Sequence, residues 1–95
     1  MECDRIEFSG HAIRRMFERH VTTADVGAVV AGGKVIIEYK DDKPFPSYVM
    51  LGEPNGRPLH VVIGVDNESR LGRVITVYVP DDFLWDDGYS VRKPQ

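Results

Sequence analysis

Only one cysteine, Cys3, occurs in this chain, so no internal disulfide can form. A lone thiol near a terminus expected to be mobile fits a reducing compartment. No stretch reads as a membrane span or a secretory signal, and the expected location is the cytoplasm, away from any membrane. A basic excess is missing too. Twelve Lys and Arg stand against 15 Asp and Glu, a formal net charge of -3, which argues against a domain whose main business is coating nucleic acid but leaves room for local basic patches. Its three histidines show no close ligand spacing such as HxxxH. Gly32, Gly33 and Gly52 do not form a phosphate-binding loop ahead of a helix, and no serine or cysteine sits in a nucleophile elbow. Neither a metal nor a cofactor is therefore expected. Repeats, linkers and low-complexity segments are absent as well. What remains is one small domain over residues 1–95, whose 42% hydrophobic content supports a single core with little to spare.

The first third of the chain reads as a helical hairpin over residues 9–32. Ser9 is a good N-cap, with Phe8 and Ile13 at the two positions of a hydrophobic staple. At a hundred degrees per residue, Ile13, Met16, Phe17 and His20 share one stripe, so Met16 and Phe17 are expected in the core. His11, Arg14, Arg15 and Glu18 lie opposite, with Arg19 at the border. The second helix starts with a capping-box pair, Thr22 and Asp25, and Val21 and Val26 can staple it. Val26, Val29 and Val30 keep helical spacing until Gly32 and Gly33 stop it.

A sheet is expected over residues 35–80, with strands at 35–39, 47–52, 57–66 and 73–80, rich in β-branched and aromatic residues and parted by turn residues. The economical arrangement is α+β: two N-terminal helices packed on an antiparallel sheet of about four strands. In the third strand Leu59, Val61, Ile63 and Val65 share a face, and His60, Val62 and Gly64 the other. In the fourth, Ile75, Val77 and Val79 oppose Val74, Thr76 and Tyr78. A five-residue loop between these strands would set His60 across from Tyr78.

Two candidate constellations follow. On the first helix, His11 stands in the first turn, where the dipole favours a neutral, base-competent imidazole, and Arg15 and Arg19 are suited to holding an anion. The competing reading is a solvated helix face with Glu18 pairing the arginines. On the sheet, His60 and Tyr78 make an acid and base pair, or else two ordinary strand residues. The C-terminal segment, 81–95, offers a third feature. Phe83, Leu84 and Trp85 either fold back as a short helical turn over the core or, with Tyr89, anchor a partner chain or a second copy. A free edge strand beginning at Val35 could recruit a partner by strand addition, and residues 39–48, acidic and aromatic, form a loop suited to face a binding groove.

Three segments in order, His11, Ala12, Arg15, Met16, Glu18 and Arg19, then the run from Arg57 to Val62, then Ile75 to Tyr78 with Pro80, resemble the bacterial domain of unknown function 4258 family. Members of that family are similar in element order to the small RelE and ParE-like toxins, including the BrnT group, many of which cut messenger RNA. The resemblance implies a RelE-like arrangement and metal-free RNA cleavage, with His11 or His60 as base or acid, Tyr78 as partner, Arg15, Arg19 and Arg57 as phosphate holders, and an antitoxin-like protein as partner. The chain departs from such toxins in being acidic, and Asp81, Asp82, Asp86 and Asp87 would repel a phosphate backbone near the site. The alternative is a non-catalytic module, alone or as a homodimer, whose His11 and arginine face contacts an acidic partner.

Overall fold

Ser9 fixes the start of the first helix twice over. Its Oγ accepts from the Ala12 amide (3.0 Å) and donates to the Ile75 carbonyl (2.9 Å), capping the helix and tying it to the sheet. In this computed structural model, which describes residues 1–86 and 88–94, a short strand β1 (Arg5–Phe8) leads into helix α1 (Gly10–Arg19) and then α2 (Thr23–Gly32). Strands β2 (Lys34–Tyr39), β3 (Ser47–Gly52), β4 (Leu59–Asp66) and β5 (Leu71–Tyr78) follow. Asp87 and Gln95, the first of them part of the expected acidic run, lie outside the described residues.

The architecture is α+β, as expected, but the sheet has five strands and is mixed. Its order is β1-β5-β4-β3-β2, antiparallel throughout except that β1 runs parallel to β5. β1 is the element the sequence reading lacked. It also corrects the expectation of a mobile terminus: the Asp4 amide donates to the Arg70 carbonyl (2.8 Å), and Arg70 Nε donates back to the Asp4 carboxylate (3.0 Å). Cys3 is half-buried against the core, and burial pushes its thiol pKa up.

α2 has the capping box, with Thr22 and Asp25 exchanging side-chain and backbone bonds of 3.0 Å each way. Val26, Val29 and Val30 are buried on β3 and β4. α1 packs on β5, and there the expected stripe is wrong. Ala12 and Met16 are buried, whereas Ile13 is 57% and Phe17 85% exposed, and His20 is exposed in the left-handed conformation at the C-cap. Anchoring Ser9 on β5 turns the small Ala12 to the sheet, where it allows close approach. The row carrying Ile13 and Phe17 then points elsewhere, and the helices sit over different strands, so neither covers that row for the other.

The alternation in β5 needs a second correction. Val62 pairs with Thr76 but Ile63 with Val74, so Ile75 is an extra residue, a bulge. Val74 and Val77 consequently both face the helices, and Ile75 is turned out. His60 does lie across from Tyr78, reached by a four-residue turn (residues 67–70) plus the bulge instead of a five-residue loop. The core between helices and sheet thus comprises Met50, Leu59, Val61, Ile63, Val65, Val74 and Val77 beneath Ala12, Met16 and the α2 valines. Val49, Leu51, His60, Val62, Thr76 and Tyr78 occupy the opposite face.

Candidate functional site

The C-terminal segment closes the sheet's second face. Its amides at Leu84 and Trp85 both bond the Asp81 carbonyl (3.0 Å each), a turn that drops the Trp85 indole onto His60. A bridge between Trp85 and Arg92 folds residues 88–94 back across, and together with residues 81–86 they form a strap. Trp85 is 5% exposed, so the segment caps the face away from the helices; what it covers is not the helix-side core.

His60 sits at the centre of this layer with no exposed surface. Its ring meets Trp85 edge-on at 4.5 Å between centroids and Tyr78 at 5.1 Å. Nε2 lies 2.7 Å from the Tyr89 carbonyl, which makes it the N–H donor and leaves Nδ1 as the bare acceptor. Among the described residues no donor reaches buried Nδ1. Burial lowers the His60 pKa, against a smaller upward pull from the Tyr89 carbonyl. The Tyr78 hydroxyl is pushed up by burial and by Tyr39 nearby, with Arg92 opposing. At neutral pH the pair is therefore an uncharged imidazole beside an uncharged phenol.

The first constellation lies across the sheet from this one. His11, Arg15 and Arg19 follow one another at four-residue intervals along α1 and form a single flank, His11 and Arg19 exposed and Arg15 half-buried. Arg15 reaches Glu18 at 3.3 Å, an exposed pair worth little. Arg57 joins this end of the molecule: its Nη2 donates to the Arg19 carbonyl, satisfying a terminal acceptor of α1. Asn55 likewise donates to Asp25 (3.1 Å), binding the β3–β4 turn to the start of α2. The six expected site residues thus fall into two sets on opposite layers, His60 with Tyr78 and His11 with Arg15, Arg19 and Arg57. Among the described residues, no three His, Cys, Asp or Glu side chains gather closely enough to hold a metal ion.

At the other end of the strap-side face, the loop between β2 and β3 walls a groove of about 480 Å³ over Gly64 and the turned-out Ile75. Asp42, Lys43, Pro44 and Phe45 line it, with Ser47 Oγ donating to Asp42, so the loop does border a groove. The strap's Trp85 and Tyr89 as partners of His60 were missing from the sequence reading; only the apolar run Phe83 to Trp85 hinted at them.

The segments that carry the resemblance occur in this order along the fold, and a family model described as a domain of unknown function (DUF4258) matches residues 8–79. The chain belongs to that family. No curated protein and no solved structure matched it. The domain of unknown function 4258 match takes in α1, α2 and the sheet through Tyr78. It ends before the strap, so His60 and Tyr78 fall inside it and Trp85 and Tyr89 outside. Among the described residues no helix is long and apolar enough to cross a membrane.

Proposed function

We propose that this domain is a non-catalytic protein-binding module whose α1 face contacts an acidic partner. The observation that carries this reading is the separation of the two constellations. The arginine-bearing flank lies on the helix layer, while His60 is sealed and Tyr78 half-buried beneath the strap on the other, so the two sets of candidate residues do not meet in one pocket. α1 carries Arg14, Arg15 and Arg19 against Glu18 alone, a local positive field on a chain that is negative overall. In a pull-down from native extract, Arg15→Glu with Arg19→Glu should lose an acidic protein that the unaltered domain retains, identified by mass spectrometry. Retention of the same proteins by both would overturn the reading.

One observation favours a second reading, a RelE-like toxin domain that cleaves RNA without a metal. Buried unpaired nitrogens are rare, and His60 Nδ1 is one, beside a phenol. The element order and the N-terminal strand laid against the last strand also support a RelE-like arrangement. In that mechanism a base takes the ribose 2′-hydroxyl proton, an acid protonates the leaving oxygen, and arginines steady the phosphorane. An RNA cleavage assay decides it: activity abolished by His60→Ala or His11→Ala in a folded protein supports catalysis, and activity indifferent to both rejects it.

A further inference from the structure

We propose that the strap is a lid that leaves the sheet as a unit when His60 takes up a proton, so that this face of the domain opens as the pH falls. What α1 binds has no bearing on this. The strap's turns are bonded inside the strap itself. The Leu84 and Trp85 amides donate to the Asp81 carbonyl (3.0 Å each), the Asp86 amide to the Val91 carbonyl (3.0 Å), the Lys93 amide to the Leu84 carbonyl (2.7 Å) and the Tyr89 hydroxyl to Asp82 Oδ1 (2.9 Å). These bonds survive whether or not the strap lies on the sheet, which suits a segment that opens as one body. Toward the sheet, the Tyr89 carbonyl accepts from His60 Nε2, and the Trp85 indole lies on the same ring. These two fastenings meet at one side chain, and Val79 and Pro80 alone join Tyr78 to the strap.

That side chain is a poor place for a charge. With the Nε2 proton given to the carbonyl, an added proton goes to Nδ1, which is buried and has no hydrogen-bond partner among the described residues. A bare N–H and a buried charge both work against the closed state. The groups that could compensate are engaged elsewhere. From β5 the neighbour is Tyr78, whose hydroxyl burial pushes towards keeping its proton, and from β2 Tyr39 acts on Tyr78; β3 sets Leu51 opposite His60. In the strap, Asp81 and Asp82 hold the Phe83 amide and the Tyr89 hydroxyl, Asp86 holds the Gly88 amide, and Arg92 and Lys93 add positive charge. None of them is a partner of Nδ1. With the lid off, water reaches both nitrogens and the imidazolium is no longer penalised. The open-to-closed ratio therefore rises by up to ~tenfold for each pH unit below the ordinary imidazole value of about 6.5.

Trp85 is the chain's one tryptophan, so its fluorescence reports the lid directly. From about pH 8 to about pH 5 its emission should move to the red and its access to acrylamide should rise, while the far-UV circular dichroism of helices and sheet holds steady. The His60 ring resonances, followed by NMR, should titrate with the same midpoint as the Trp85 change. His60→Phe keeps a ring between Tyr78 and Trp85 and should leave Trp85 shielded across the range. The lid is refuted if Trp85 stays shielded throughout, if it is exposed only together with loss of the circular dichroism signal, or if it opens in His60→Phe as in the unaltered chain. Should the His60→Phe protein fail to fold, the midpoints in the unaltered chain decide: a shared one supports the lid, and separate ones for His60 and Trp85 overturn it.

Discussion

His60 makes the stability of this domain depend on pH in a way that one substitution isolates. In the unfolded chain its imidazole titrates at about 6.5. Folded, it lies beneath Trp85 and beside Tyr78 with Nε2 bonded to a carbonyl, and burial lowers its pKa. Below about pH 6.5 the unfolded chain therefore takes up a proton that the native chain refuses. Stability that is complete above the unfolded value is lost as the pH falls through the native one, with a slope approaching ~1.4 kcal/mol per pH unit while the two states differ by one proton. Against the ~5–15 kcal/mol that holds a domain together, that is readily measured.

His60→Phe removes the titration and keeps an aromatic ring between Tyr78 and Trp85. Above pH 7 the exchange should be close to neutral. The lost bond to the Tyr89 carbonyl costs about 0.5–1.5 kcal/mol, and removing the unpaired Nδ1 relieves a penalty of about 1–3 kcal/mol. Urea unfolding of both proteins at steps from about pH 8 to about pH 5 gives the test. The shared carboxylates and the exposed His11 and His20 cancel in the difference, which should grow in favour of His60→Phe as the pH falls. A difference flat across that range, or one that grows in favour of the unaltered chain, would refute a buried neutral imidazole.

Phe17→Ser should shift stability by no more than ~0.5 kcal/mol, whereas Met16→Ala, one residue away, should cost ~2–5 kcal/mol; urea midpoints at neutral pH distinguish them, and equal losses would mean that α1 is rotated from the orientation described. Gly27→Ala in the interior of α2 meets nothing within 4 Å and should stabilise by ~0.4–1 kcal/mol. Gly33→Ala would set a Cβ 2.5 Å from the carbonyl oxygens of both Leu51 and Val29, neither free to yield, and should destabilise by ~1–3 kcal/mol or more. Thermal melting reads both, at ~4–8 °C per kcal/mol for a domain of this size, and a Gly33→Ala protein as stable as the parent would contradict the close packing of α2 on β3.

Where local chemistry decides structure, the sequence was readable. The Thr22–Asp25 box, the valine row of α2 and the β3 and β4 strands all depend on neighbours in the chain or on simple alternation; the facing of His60 and Tyr78 was expected too, but the bulge at Ile75 helps set it. β1 was not readable for the opposite reason. It has only four residues, two of them charged, and its partner β5 lies near the other end of the chain and runs parallel, so no turn residues announce the pairing. The bulge at Ile75 was hidden because a period of two cannot reveal an added residue. α1 contains two apolar rows, Ala12 with Met16 and Ile13 with Phe17. Hydrophobicity favours the second, but the Ser9 anchor on the Ile75 carbonyl selects the first. The six candidate site residues were individually plausible; their division between two layers follows from which face each strand and helix presents, and that is a tertiary property.

The strap itself follows from the strands it covers. β3 buries Val49, Met50 and Leu51 in succession, and β4 buries Leu59, His60 and Val61. Three consecutive buried residues cannot all face one cover, because successive side chains of a strand point to opposite sides. Helices α1 and α2 account for Met50, Leu59 and Val61. Val49, Leu51 and His60 need a second layer, and over His60 Trp85 with the returning chain supplies it. That dependence bears on both functional readings. Binding through α1 leaves the strap in place, whereas any chemistry at His60 requires the strap to leave. Leaving would expose the His60 ring and the indole of Trp85 to water, at about 25 cal/mol for each Å² of apolar surface uncovered. A substrate that opened this face would have to offset that cost with contacts of its own, so the binding reading, which keeps the second layer intact, asks less of the fold.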